Sequence, residues 1–405
     1  MSRQTAWKPR KPSRHAALEK PAAVPRTRRS HPNPPNHPKP MTEGVAPASS
    51  PRVRIRWLIA TVVVLGLGSA GFLSWLSTQS DAAVAEPGPP AVAPATAFRV
   101  TYRVDDRAGA QPQVETDVVT VHRPGDVRVE HWTGAPPGVA LMSGTVIDGR
   151  SDLTLPDDAR SYATPLTIAF TPELYSADAL NAAVDAGKAE ALGDDAVLGQ
   201  TCTRYSYRHA GIEPLAKADD RDHVESCVTR DGILLREMVT VAGREVRSAR
   251  AVSLDRKLAA PADYFAVGEG EPSADVQATR RVIEGPPSDQ QLVEAPAPHG
   301  FHEDRRLTDT RQEIDGPLLP LYLESFVGGS ELVVSEQYLY RSQNSLPWST
   351  AGGSSVPLGP GRSGQVLYHT GAVEVQTTVD GFPVRVLAPR FQLARYVAGA
   401  LRSKK

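Results

Sequence analysis

The chain has 405 residues, with 45 Lys+Arg, 46 Asp+Glu, a formal net charge of -1, 36 Pro, 32 Gly, two Cys and 6% aromatic residues. That composition excludes a collagen, a coiled coil, a disulfide-dense scaffold and a polytopic membrane protein. The near-neutral charge is a cancellation: residues 1 to 56 carry 13 of the basic residues against Glu19 and Glu43 alone, near +11, leaving 32 basic and 44 acidic residues, near -12, for the remainder.

Residues 1 to 54 contain 11 prolines, five of them within His31 to Pro40, and no periodic apolar pattern. Such a segment cannot bury enough apolar surface to offset chain entropy, so a disordered, basic, Pro-rich tail is expected there. From Trp57 to Leu76 there are 20 positions without a charged residue. As a helix this run would reach ~30 Å, the thickness of a hydrocarbon core, so a transmembrane helix is expected over residues 55 to 78. Arg52, Arg54 and Arg56 precede it and Asp81 and Glu86 follow. By the positive-inside rule this predicts a single-pass protein of the cell membrane, with a cytoplasmic N-terminus and extracytoplasmic C-terminal domains. A cleaved leader is the rival, since Ala83-Val84-Ala85 fits a signal-peptidase site and translation can start at Met41. Residues 79 to 95, rich in Pro, read as a stalk.

The first folded domain is expected over residues 96 to 268. Phe98, Val100, Tyr102 and Val104 alternate with polar residues, the signature of a strand with one buried face. Strands follow at Val114 to His122, Val127 to Trp132 and Thr145 to Ile147, then a helix over Thr171 to Lys188 that carries Leu174, Leu180 and Val184 and stops at Gly187. Strand patterns resume at Val197 to Arg208, Val224 to Thr229, Ile233 to Val241 and Val246 to Leu254, with Tyr264 and Phe265 as an anchoring end. Residues 269 to 299 read as a linker around Pro286, Pro287, Pro296 and Pro298. A smaller domain is expected over residues 300 to 402, with hairpins at Gly328-Gly329 and Asp380-Gly381, a Gly-rich loop from Gly352 to Gly364, and a terminal helix after Pro389 bearing Leu393, Val397 and Leu401.

Cys202 and Cys227 fall on neighbouring predicted strands and are expected to pair, as suits an oxidising compartment. The closed loop would contribute on the order of 3 kcal/mol in the chain-entropy model. No nucleophile elbow, Walker loop, dinucleotide fingerprint or His-Glu-x-x-His is present, so neither an enzyme nor a cofactor is expected. The nearest metal-like grouping is His299, His302, Glu303 and Asp304. His209 with Asp219, Asp220 and His223 is a weaker one, and His122 and His131 can meet across a meander turn; polar surface is the plainer reading of all three. The region after the apolar run is net acidic and lacks a basic stripe with interleaved aromatics, so no nucleic acid is expected as its partner. What remains is binding. A curved antiparallel sheet with a helix across its mouth can hold an apolar ligand, and Phe98, Val100, Tyr102, Val104, Val127, Val129, Leu174, Leu180 and Val184 are the expected lining.

The stretch from Ala191-Leu192-Gly193 through Val197-Leu198-Gly199-Gln200-Thr201-Cys202-Thr203-Arg204-Tyr205, followed by Ser226 to Glu237, resembles strands of the LolA/RseB-type family over roughly residues 96 to 268. The resemblance implies an α+β fold: an antiparallel half-barrel sheet with a plugging helix, followed here by a smaller C-terminal α+β domain. Joined to the anchor expected from the apolar run, it implies a membrane-anchored extracytoplasmic sensor, an envelope-stress or sigma-factor-pathway regulator that binds a lipid-like ligand or a partner such as an anti-sigma or envelope protein. The alternative is a carrier of lipid or lipoprotein, as the resemblance implies, tethered to the membrane by the expected anchor. The paired cysteines and the anchor depart from the family pattern.

Overall fold

The computed structural model describes residues 84 to 404, apart from 110, 135, 137–139, 156–158, 209–212, 260–262, 269, 289, 313–317 and 342–351. All of them fall within one compact unit, Gly66–Lys405. The basic tail and the apolar run from Trp57 to Leu76 lie outside the described residues.

The chain is mostly β. Eleven strands form one open antiparallel sheet: β1 (Ala97–Asp106), β2 (Gln113–His122), β3 (Asp126–Trp132), β4 (Leu141–Ile147), β5 (Ser151–Leu155), β6 (Ala159–Tyr162), β7 (Glu190–Val197), β8 (Gln200–Tyr207), β9 (His223–Val228), β10 (Leu234–Val241) and β11 (Arg244–Asp255). Their order is β6-β5-β4-β3-β2-β1-β11-β10-β9-β8-β7, so β1 pairs β11 and the two edges are consecutive in sequence. Between those edges the chain forms two helices, α1 (Pro165–Ala169) and α2 (Ala177–Asp185). The single helix expected over Thr171 to Lys188 is thus shorter and has a companion. Thr164 accepts from the Thr167 N–H to start α1, Ser176 accepts from the Ala179 N–H to start α2, and Gly187 at φ +68° ends the second turn sequence.

A short helix α3 (Ala274–Thr279) and the strand β12 (Arg280–Glu284) occupy the stretch that composition marks as linker. The second sheet holds β12, β14 (His302–Gln312), β15 (Leu318–Gly328), β16 (Glu331–Tyr338), β17 (Ser354–Gly359), β18 (Arg362–Tyr368), β19 (Val373–Val379) and β20 (Phe382–Ala388) in the order β12-β14-β15-β16-β20-β19-β18-β17. The Gly-rich loop expected at Gly352 to Gly364 is instead the β17–β18 hairpin, turned by Gly361 at φ +65°. A two-residue strand β13 (Val293–Glu294) pairs with β21 (Arg402–Ser403), just past the terminal helix α4 (Phe391–Ala400). An α+β description therefore understates both sheets: the second has eight strands, and the described helices span at most ten residues.

The faces of the second sheet explain how the body is assembled. Successive side chains on a strand point to opposite faces. Val373 and Val375 of β19 and Val384, Val386 and Ala388 of β20 pack with Leu393, Ala394, Val397 and Ala398 of α4 and with Leu180 and Ala183 of α2. The other face, carrying Val334 and Leu387, receives Leu166 of α1. The first sheet has its own core of Phe98, Val100, Tyr102 and Val104 with Val119, Val121, Val127, Val129 and the buried cysteines. Both helices that leave the first sheet are therefore packed against the second.

The segment expected as a free stalk is fastened to the body. The Arg390 guanidinium donates to the Gly88 carbonyl at 2.7 Å while bonding Glu331 at 2.7 and 2.9 Å, Ser330 Oγ donates to the Pro94 carbonyl at 3.0 Å, and the Ala95 N–H donates to the Asp231 carbonyl at 2.9 Å.

No helix among the described residues is long and apolar enough to cross a membrane. The ten residues of α4 rise ~15 Å, half of a hydrocarbon core. The expectation of a single-pass cell-membrane protein with a cytoplasmic N-terminus and extracytoplasmic domains is corrected on that finding; residues 57 to 76, which prompted it, lie outside the described residues.

Candidate functional site

Cys202 on β8 and Cys227 on β9 form a disulfide, with Cα atoms 5.3 Å apart and both side chains buried, as the strand pattern leads one to expect.

A cavity of about 1060 Å³ opens between the two sheets. Protein interiors contain few voids larger than a water molecule, so a space of this size is not a packing defect. One wall is the first sheet, through Val127, Val129 and His131 of β3 and Thr145 and Ile147 of β4. A second wall is α1 and the turn that follows it, through Leu166, Phe170, Thr171, Pro172 and Glu173. The third is the second sheet, through Leu367 of β18, Glu374 and Gln376 of β19, Arg385 of β20 and the adjoining His369. The connection after β8, with Arg208, Glu213 and Leu215, closes one side.

The cavity has apolar surface next to bonded polar groups. On the second sheet, His369 Nε2 lies 3.1 Å from Glu374 Oε2 and Gln376 Nε2 donates to Glu374 Oε1 at 2.8 Å. Arg385 reaches Glu336 at 3.0 Å and Glu374 at 3.8 Å, with its guanidinium 5.7 Å from the Phe170 ring centre. Phe170 meets the His369 ring edge-on at 4.7 Å. Burial pushes the Glu374 carboxyl up, but the His369 bond, Arg385 and Gln376 outweigh it and hold the group below the ordinary carboxylate range.

On the first sheet a chain of pairs runs away from the cavity wall. His131 Nδ1 lies 2.7 Å from Asp117 Oδ1, Arg247 donates to Asp117 at 3.0 Å and to Glu237 at 2.9 Å, and Tyr175 Oη donates to Glu237 at 2.8 Å. The hydrogen bond to Asp117 raises the His131 imidazole above its usual value, against the opposing effect of burial. Glu173 stands beside this chain and lines both the main cavity and a smaller adjoining one with Tyr102, Val129 and His131. Burial pushes its carboxyl up, and Asp117 and Glu237 add to the rise.

Of the nine lining residues expected from sequence, Val127 and Val129 face this cavity and Tyr102 faces its neighbour. Phe98, Val100 and Val104 are packed into the first-sheet core. Leu174 sits in that core as well and borders a small cavity shared with Ala372 and Ala388. Leu180 and Val184 belong to the core under the second sheet, on the face opposite the cavity. Sequence reasoning missed Phe170, Glu173, His369, Glu374, Gln376 and Arg385. Glu374 and Gln376 alternate with valines on β19, a pattern that ordinarily marks a solvent face, yet both are buried because the first sheet and α1 cover that side.

The metal-like groupings come apart. Among the described residues no three His, Cys, Asp or Glu side chains gather to hold an ion. His299 and His302 are exposed, and Glu303 pairs with Arg306 at 2.9 Å. Asp219 pairs with Arg208, and His209 lies outside the described residues. His122 is bonded to Asp126 at 3.2 Å and His131 to Asp117, so each imidazole has its own carboxylate.

No family model and no curated protein matches the sequence. Solved structures do match. A crystal structure of MucB in complex with MucA(peri) is 14% identical, with 76% of this chain and 94% of that one covered and a TM-score of 0.26. The complex of Pseudomonas aeruginosa MucA/MucB is 13% identical, with 76% and 94% covered and a TM-score of 0.30. A crystal structure of MucB is 15% identical, with 83% and 99% covered and a TM-score of 0.28.

Proposed function

We propose that this chain is a binding protein that takes an apolar or amphiphilic molecule into the cavity between its two sheets. The observation that carries the reading is the cavity itself. Its volume of about 1060 Å³ matches the upper end of small-molecule sites, roughly 300–1,000 Å³, and its walls combine valine, isoleucine, leucine and phenylalanine with a few fixed polar groups. Each methylene moved there from water contributes about 0.8 kcal/mol, so a twelve-carbon chain supplies about 10 kcal/mol before the entropic cost of association is subtracted. Catalysis has no comparable support, because the two imidazoles that line the cavity, His131 and His369, are each engaged with a carboxylate, Asp117 and Glu374.

The resemblance to the LolA/RseB-type family over residues 96 to 268 supports a regulatory use for such binding, in which occupancy of the cavity alters engagement of a partner protein of the envelope-stress or sigma-factor pathway. A carrier of lipid or lipoprotein would use the same cavity differently, by releasing its cargo to an acceptor.

The test is displacement of an environment-sensitive fluorescent fatty acid from the full chain, beside the variant Thr145→Trp. Thr145 faces the cavity from β4 opposite Val129, so an indole there is expected to fill the space. Saturable binding by the wild type and its loss in the folded variant is the expected result. Binding that Thr145→Trp leaves intact, or no binding of any apolar probe, refutes the reading. Transfer of bound probe between vesicles would favour the carrier use over the regulatory one.

A further inference from the structure

The charges around the cavity are unequal in a way that bears on what enters it. The guanidiniums and imidazoles of its walls already have carboxylate partners. Arg385 is held by Glu336 and Glu374, Arg208 by Asp219 at 3.0 Å, His131 by Asp117 and His369 by Glu374. Arg247, one layer behind, is shared between Asp117 and Glu237. Glu173 and Glu213, which also line the cavity, accept no side-chain hydrogen bond and join no ion pair among the described residues. The groups with spare capacity are therefore acceptors.

A polar end that is cationic would find the partly buried carboxylate of Glu173 inside the cavity and the exposed one of Glu213 at its rim. One that is anionic would have to break a guanidinium away from its carboxylate or sit beside unpaired negative charge. Removing one partner from a buried ion pair is costly, and like charges brought together in a space of reduced dielectric repel strongly.

On the cavity-binding reading given above, we propose that the ligand carries a cationic, hydrogen-bond-donating end of the alkylammonium class, received by Glu173 and Glu213, and that the cavity discriminates against an anionic end. An ammonium offers three donors and no acceptor, the complement of carboxylates that only accept. A charge-assisted hydrogen bond to a half-buried carboxylate is worth about tenfold or more in affinity.

The experiment uses the full chain and three probes that share one alkyl tail: dodecylamine, dodecanol and dodecanoate, titrated by calorimetry below their aggregation limits. Dodecylamine should bind about tenfold or more tighter than dodecanoate, with dodecanol between them. Glu173→Gln and Glu213→Gln together should bring the amine to the affinity of the alcohol while leaving the alcohol unchanged, which also shows that the variant is folded. Dodecanoate binding as tightly as dodecylamine overturns the proposal and leaves the cavity reading standing. So does an amine preference that survives both substitutions, or one that persists when Thr145→Trp has abolished alcohol binding, since either puts the amine on the acidic exterior. Failure of all three probes removes the cavity reading and this proposal together.

Discussion

Breaking the Cys202–Cys227 bond tests how the first sheet is held. The two residues are 25 apart in sequence and bridge β8 and β9, the two strands nearest the sheet's β7 edge. In the chain-entropy model a loop of that length contributes about 3.5 kcal/mol by restricting the unfolded chain. The β7 edge has little else to secure it, because its side chains are mostly exposed and it pairs with β8 alone. Cys202→Ala with Cys227→Ala should therefore lower the unfolding free energy by about 3–4 kcal/mol, a fall of about 1 M in urea midpoint if m is near 3 kcal/mol/M. Reduced wild-type protein separates the entropic account from a packing one, since it keeps both sulfurs in the core. Urea unfolding followed by circular dichroism should place the reduced protein and the double variant close together and well below the oxidised protein. If the reduced protein unfolds within about 0.5 kcal/mol of the oxidised one, constraint of the unfolded chain is not what the bond supplies, and the argument from loop length is wrong.

Leu180→Ala should cost about 3–5 kcal/mol, because the side chain is fully buried where α2 meets the second sheet and neither element can collapse into the gap without unseating α4; thermal unfolding reads this directly. Gly371→Ala should unfold or strongly destabilise the body, since a Cβ there would collide with the Leu174 carbonyl where the β18–β19 turn meets the segment leading into α2; expression and near-UV circular dichroism decide it, and a stable variant would mean that the contact yields easily. Glu374 has a folded pKa below its unfolded value, so the stability it contributes is present above the unfolded value of about 4.3 and is lost as pH falls through the folded one. Glu374→Gln should be less stable than wild type at pH 7 by roughly 1–3 kcal/mol, with the difference shrinking in acid; a pH-independent difference would contradict the assignment. His131 runs the other way: its raised value contributes stability that is present below about pH 6.5 and lost as pH rises through the folded value, which His131→Gln should abolish in a pH series of urea midpoints.

The sheet of the first region was legible wherever a strand has one wet face. Phe98, Val100, Tyr102 and Val104 alternate cleanly, and that pattern alone locates β1 and its core face. The Asp148-Gly149, Asp231-Gly232 and Asp380-Gly381 pairs mark turns because the glycine of each takes positive φ. Strands that depart from alternation escaped. Edge strand β7, reading Glu-Ala-Leu-Gly-Asp-Asp-Ala-Val, is wet along most of both faces, and the β17–β18 hairpin reads as a Gly-rich loop because turn residues outweigh its short apolar runs. The site was less legible than the fold. Its first-sheet wall, Val127 and Val129, follows from strand periodicity, which depends only on residues near in sequence.

Sequence by itself determined the antiparallel strands with their turns, the terminal helix and the cysteine pairing, since each rests on local backbone preference or on neighbouring strands. Tertiary structure decided the rest. It closed the second face of β19 so that Glu374 and Gln376 became buried, sent α1 and α2 from the first sheet onto the second, and laid residues 86 to 95 against Arg390 and Ser330. A cavity between two sheets is a property of how their faces are placed, and residues such as Phe170 and His369, 199 positions apart, have no local signal that they will meet at 4.7 Å.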